Sequence, residues 1–123
     1  MSQRTFLAGH GPVPATEIKI ESLGLNPLDP RRVDVAVDLT PARDPVRVEF
    51  AIVAPGGEEV CSTTLVHNRD WALDRILHLR RDAGPGEHVL HVGVFYEDEL
   101  VAHAARRFLF HPAPAAAGEA DSA

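Results

Sequence analysis

Residues 46–66 read Val-Arg-Val-Glu-Phe-Ala-Ile-Val-Ala-Pro-Gly-Gly-Glu-Glu-Val-Cys-Ser-Thr-Thr-Leu-Val. Val46, Val48, Phe50 and Ile52 fall on one parity, and Arg47, Glu49 and Ala51 on the other. A period of two is the mark of a strand buried on one face. Pro55-Gly56-Gly57 then reverses the chain, because proline presets a negative φ and glycine accepts a positive one. A three-residue loop there predicts Ile52 opposite Val60 and Val46 opposite Val66, so that one face stays apolar.

The same alternation extends both ways. Upstream, Val33, Val35, Val37 and Leu39 oppose Asp34, Ala36 and Asp38 in a run over 31–40. Before it, Ile18 and Ile20 alternate with Glu17, Lys19 and Glu21 in a run over 16–23. A turn rich in Gly24, Asn26, Pro27, Asp29 and Pro30 is expected between the two. Downstream, residues 72–80 carry Leu73, Ile76, Leu77 and Leu79 at mixed spacing, which leaves a helical turn open there. The run 87–96 alternates cleanly, with His88, Leu90, Val92 and Val94 on one side and Val89, His91, Gly93 and Phe95 on the other. A three-residue acidic tip, Glu97-Asp98-Glu99, is expected to lead into a last run over 100–111 and to place Phe95 opposite Val101. Seven short strands with turn signals between them predict an all-β protein, a seven-stranded antiparallel sandwich.

The stretch Gly84-Pro85-Gly86-Glu87-His88-Val89-Leu90-His91-Val92 resembles the turn entering the sixth strand of immunoglobulin-like and fibronectin type III-like domains. His88 stands where that superfamily carries its corner tyrosine, and the inter-sheet cysteine pair of antibody domains has no counterpart. The resemblance implies an immunoglobulin-like β-sandwich over residues 15–111 and, by analogy of fold, a role in recognition or scaffolding.

The 123 residues are one domain's worth of chain, with 45% hydrophobic and 24% charged residues. Residues 1–14, with Gly9, Gly11, Pro12 and Pro14, read as an extended arm. Residues 112–123, a Pro/Ala-rich stretch without a large apolar side chain, read as a disordered tail. A net charge of −6 argues against a general nucleic-acid binder. No run reaches the roughly 20 apolar residues of a membrane helix. Phe6–Ala8 is too short for a signal-peptide core, so the expected compartment is the cytoplasm.

The chemistry-bearing residues form no familiar constellation. Of the seven histidines, His88 and His91 are three apart on one strand and face opposite sides, so no metal site is expected. Ser62, His67 and Asp70 supply triad residue types outside any nucleophile-elbow sequence, and Ser62 is expected to face inward. No phosphate-binding, calcium-binding or dinucleotide motif occurs, and no cofactor is expected. Glu58-Glu59 and Asp34/Asp38 read as solvated strand faces. Trp71, ahead of a strand, is expected to plug one end of the sandwich, which weighs against a carbohydrate platform built on Trp71 and Tyr96.

Two features point to a surface instead. Val89, Gly93, Phe95 and Val101 make an apolar patch on the face opposite the core, with Gly93 allowing a close approach. Arg31, Arg32, Arg80 and Arg81 are expected at one end of the sandwich, away from the acidic 97–99 tip, with Arg106-Arg107 nearby. The expected function is a non-catalytic interaction or structural module that binds a protein partner or a second copy. A sugar- or small-molecule-binding module is the alternative.

Overall fold

The computed structural model describes residues 11–110. Seven strands follow a 3-10 turn at Ala15–Glu17: β1 Ile20–Asp29, β2 Arg32–Leu39, β3 Val46–Val53, β4 Glu59–Asn68, β5 Ala72–His78, β6 His88–Tyr96 and β7 Glu99–Phe108. They form two antiparallel sheets, β1-β2-β5 and β4-β3-β6-β7, which face each other as a seven-stranded sandwich of immunoglobulin-like form. The fourth strand pairs with β3, so the sheets divide three and four, whereas constant-type antibody domains place it beside the fifth.

The core is the set of inward positions anticipated from the alternation. Val33, Val35, Val37 and Leu39 of β2 are buried, as are Val46, Val48, Phe50 and Ile52 of β3 and Leu90, Val92 and Val94 of β6. His88 joins them at 1% exposure. Its Nδ1–H donates to the Gly86 carbonyl (3.1 Å), and its ring meets Phe110 edge-on at 5.0 Å. A polar ring is tolerated there because its donor is satisfied. Trp71 is half-buried against the core, and its carbonyl accepts a bond from the Leu39 amide (2.7 Å).

The expected arm and tail fall largely on residues 1–10 and 111–123, outside the described residues. Within the described part of the arm, Val13 bonds Pro41 and Arg43 through its backbone; just after it, Ala15 and Ile18 are buried.

Three local expectations need correction, and one open alternative, the third below, resolves to strand. First, Gly24–Asp29 is strand, and the turn is only Pro30-Arg31. β1 lies at a sheet edge, where Pro27 costs no ladder bond on its open side, and Leu23, Leu25 and Pro27 alternate inward. Asp29 sets the turn by accepting from the Arg31 amide (2.8 Å) and Arg32 Nε (2.7 Å). Second, the three-residue loop at 55–57 is present, with Ala54 N bonded to Glu58 O and Gly57 at φ 95°. A bulge then puts Ile52 opposite Cys61, not Val60. Val60 and Cys61 are both buried, and Ser62 and Val66 turn outward. Arg80 holds this bulge, its amide bonding the Val60 carbonyl (3.0 Å) and its guanidinium the Glu59 carbonyl (2.6 Å).

Third, residues 72–78 are a strand without helical character; Leu73, Leu77 and Leu79 are buried and Ile76 is 48% exposed. Fourth, the β6–β7 tip has two residues. Glu97 and Asp98 both have positive φ (50° and 66°), the geometry of the two-residue turn that matches strand twist. Phe95 therefore pairs with Leu100, and Val101 sits at a bulge and packs against the core margin. Arg106, on the inward parity of β7, donates from NH1 to the Leu23 carbonyl and ties β7 to β1 where the sandwich is open.

Candidate functional site

The outer face of the four-stranded sheet carries Phe95, Leu100 and a set of charged and histidine side chains. Its ladder forms cross-strand rows. One row is Arg47, Phe95 and Leu100. The next is Thr64, Glu49, Gly93 and His103. A third is Ser62, Ala51, His91 and Ala105. The last is Glu59, Val53, Val89 and Arg107.

Phe95 is held from two sides. A Cβ added at Gly93 would lie 3.0 Å from Phe95 Cε1 and 3.3 Å from Leu100 Cδ1, so both side chains fold down over the glycine. The close approach that Gly93 permits is thus taken by this chain's own side chains. From the other side, Arg47 Cζ lies 4.5 Å from the Phe95 ring centroid, a cation–π contact. Arg47 is itself fixed by Glu49 (2.9 Å) and Asp98 (3.2 Å). Leu100 is 54% exposed and Val66, at the far margin, 66%.

Two hollows adjoin Phe95. One, of about 200 Å³, lies over Ala51 and Gly93 and is walled by Glu49, Ser62, His91, His103 and Leu100. The other, of about 430 Å³, sits at the hairpin end between Asp44, Val66, His67, Tyr96 and Asp98. The Tyr96 hydroxyl there is pushed above its ordinary range by the negative charges of Asp44 and Glu97.

In the first hollow, His91 Nδ1 and His103 Nε2 stand 3.2 Å apart, with near-parallel rings whose centroids are 5.4 Å apart. A test of histidine spacing along single strands misses this pair. The antiparallel ladder is the signal that finds it, since His91 pairs with Ala105 and His103 with Gly93 in the adjacent row.

Of the expected surface residues, Val89, Gly93 and Phe95 share this outer face; Leu100 takes the place expected for Val101. Arg31, Arg32, Arg80 and Arg81 do gather near one end, around and beside a separate hollow of about 430 Å³ lined by Arg31, Arg32, Asp29 and Asp82. Each is already engaged. Arg31 donates to the Arg80 carbonyl (2.9 Å), Arg32 pairs with Asp29, Arg80 with Glu59, and Arg81 grips Glu58 with two bonds. The Glu58 carboxyl is held below its ordinary range by Arg81. The end is charge-compensated, not a bare cationic patch.

Ser62 and His67 are five residues apart along β4, on the order of 15 Å for extended chain, and are not brought together. Asp34 and Asp74 meet on the outer face of the other sheet, where their shared hydrogen bond raises the Asp34 carboxyl above its ordinary range. Among the described residues no group of three or more His, Cys, Asp or Glu side chains is placed to hold a metal ion, and no helix is long and apolar enough to cross a membrane.

No family model matches this chain, and none of the curated proteins does. Solved structures do resemble it. A glycosyl hydrolase family 2 member from Bacteroides cellulosilyticus matches over 76% of this chain and 15% of its own, with a TM-score of 0.58 and 12% identity. A β-glucuronidase from Parabacteroides merdae matches over 76% and 14%, at TM-score 0.61 and 16% identity. A β-glucuronidase from Bifidobacterium dentium matches over 76% and 18%, at TM-score 0.61 and 13% identity. This chain therefore spans less than a fifth of the length of those structures. At such identities the likeness shows the fold, a β-sandwich.

Proposed function

We propose that this sandwich is a non-catalytic protein-interaction module that binds its partner through the outer face of β3, β6 and β7, with Phe95 and Leu100 as the apolar anchor. The observation that carries the reading is the preorganised Phe95 ring. It is seated over Gly93 and clamped by Arg47, within a rim of Glu49, Asp98 and His103. A rigid aromatic with a polar rim is the make-up of a binding hot spot, because little side-chain entropy is left to lose on association.

The test compares wild type with Phe95→Glu by light scattering and by retention of partners on the immobilised domain. The expected result is a folded variant, by circular dichroism, whose association is weakened at least 30-fold, the equivalent of about 2 kcal/mol for a central anchor. Unchanged mass and unchanged partners in the folded variant would overturn the reading.

A second reading, a module for a sugar or another small molecule, is favoured by the hollow of about 200 Å³, where Glu49, Ser62, His91 and His103 border the Phe95 edge. Hydrogen-bonding groups beside an aromatic face suit a small polar ring. One of the solved structures sharing the fold is a β-glucuronidase complexed with coumarin-3-O-glucuronide. Saturation-transfer NMR with glucuronic acid separates the two readings: a signal lost in Ser62→Val but kept in Val66→Glu, outside this hollow, favours the small molecule.

A further inference from the structure

We propose that His91 and His103 form a two-imidazole chelate for a first-row divalent transition-metal ion, Cu2+ ahead of Ni2+ and Zn2+. The inference goes beyond the interaction surface and stands independently of it.

The argument begins with the ladder. His91 lies opposite Ala105 and His103 opposite Gly93, so the two histidines are diagonal neighbours on the outer face of one strand pair. The ladder fixes the spacing of their backbones, and their rings already lie within hydrogen-bond distance of each other. Their facing nitrogens, Nδ1 of His91 and Nε2 of His103, are 3.2 Å apart. Two imidazole nitrogens bound to one ion at about 2.0–2.1 Å, at angles between a right angle and the tetrahedral value, stand about 2.8–3.4 Å apart. The observed separation falls inside that range, so binding requires the lone pairs to swing toward a common point and no movement of the strands.

The surroundings suit an open site. The pair borders the hollow above Ala51 and Gly93, so the remaining coordination positions face space that water or a donor from a bound partner can fill. Glu49 and Glu59 line the same hollow and favour a dication electrostatically, Glu49 while paired with Arg47 (2.9 Å) and Glu59 while more loosely paired with Arg80 (3.9 Å). Arg47 also reaches Asp98 (3.2 Å) and the Phe95 ring, so its charge is shared among the three. With two nitrogen ligands in place and no third protein ligand required, affinity should follow the general order for nitrogen sites, in which Cu2+ exceeds Ni2+ and Zn2+.

The experiment uses the full chain without an affinity tag, stripped with EDTA. Cu2+ is titrated into 15N-labelled protein, and paramagnetic broadening of backbone amides is followed. The expected result is saturable broadening centred on Ala51, His91, Gly93, His103 and Ala105. A rise of several degrees in the melting temperature should accompany Ni2+ at a hundredfold excess over its dissociation constant, because an ion bound only by the folded state stabilises it. His91→Gln and His103→Gln should each weaken binding at least tenfold while leaving the circular dichroism spectrum unchanged. His67→Gln and His78→Gln, at other sites, should leave it intact. Broadening spread evenly over all histidines, or unaltered binding in folded His91→Gln or His103→Gln, would overturn the proposal.

Discussion

Replacing Phe50 by Ala removes an aromatic ring from the middle of β3, between Thr63 of β4 and Val92 of β6 in the ladder. Phe50 is 1% exposed and is the bulkiest of the fully buried side chains. Both flanking strands are tied to β3 by backbone bonds along most of its length, so the sheet cannot collapse into the space left behind. The expected loss is therefore the transfer energy of the ring together with a cavity penalty, about 3–5 kcal/mol. Domains of this kind hold roughly 5–15 kcal/mol in all. At about 4 °C per kcal/mol for a domain of roughly 100 residues, the melting temperature should fall by about 12–20 °C. Ile76→Ala is the internal control: it too shortens an apolar strand residue, but Ile76 is 48% exposed and its loss should stay near 0.5 kcal/mol. Thermal and urea melts of both variants decide the matter. A loss below about 1 kcal/mol for Phe50→Ala, or equal losses for the two, would refute the packing argument.

Two further outcomes follow from titratable groups. Asp34 has a folded-state carboxyl raised above its ordinary range by its hydrogen bond to Asp74, so its contribution to stability is fully present below the unfolded value and lost as pH rises through the folded one. Asp34→Asn should raise the melting temperature at pH 7 and not at pH 3, and an identical shift at both would contradict the shared-proton pairing. Burial pushes the Cys61 thiol above its ordinary range, so native protein should react with a disulfide reagent only after unfolding in guanidinium. Stoichiometric labelling of the native state would show the thiol to be accessible.

The alternation of β2, β3 and β6 was legible because each of these strands has a partner on both edges and one buried face, so a single register satisfies every residue. The misreadings fall on β1, β4 and β7, three of the four strands that end a sheet. An edge strand has ladder bonds on one side only, which is what admits Pro27 to β1 and bulges to β4 and β7. One extra residue reverses the parity of everything beyond it. Ser62 moved from the inward to the outward face in this way although the loop length had been read correctly. The stabiliser of that bulge, Arg80, lies some 20 residues away in sequence, and no local pattern announces such a partner.

The outer face shows the same logic at the level of chemistry. A two-residue tip followed by one bulge returns β6 and β7 to the register that a three-residue tip would have produced. The two differences cancel past Val101, and only two partners change: Phe95 meets Leu100 in place of Val101, and Tyr96 meets Glu99 in place of Leu100. The row containing Gly93 and His103 was therefore implicit in the expected hairpin, and so was the diagonal that brings His91 to His103. What concealed it was the direction of the search. Metal and catalytic motifs are recognised by spacing along a chain, and that logic works for helices and loops, where ligands come from one segment. In an antiparallel sheet the close neighbours of a side chain are set by the sum of two residue numbers, not their difference. His91 and His103, twelve residues apart, become adjacent only when the hairpin is closed, and so does the seat that Gly93 provides for both Phe95 and Leu100.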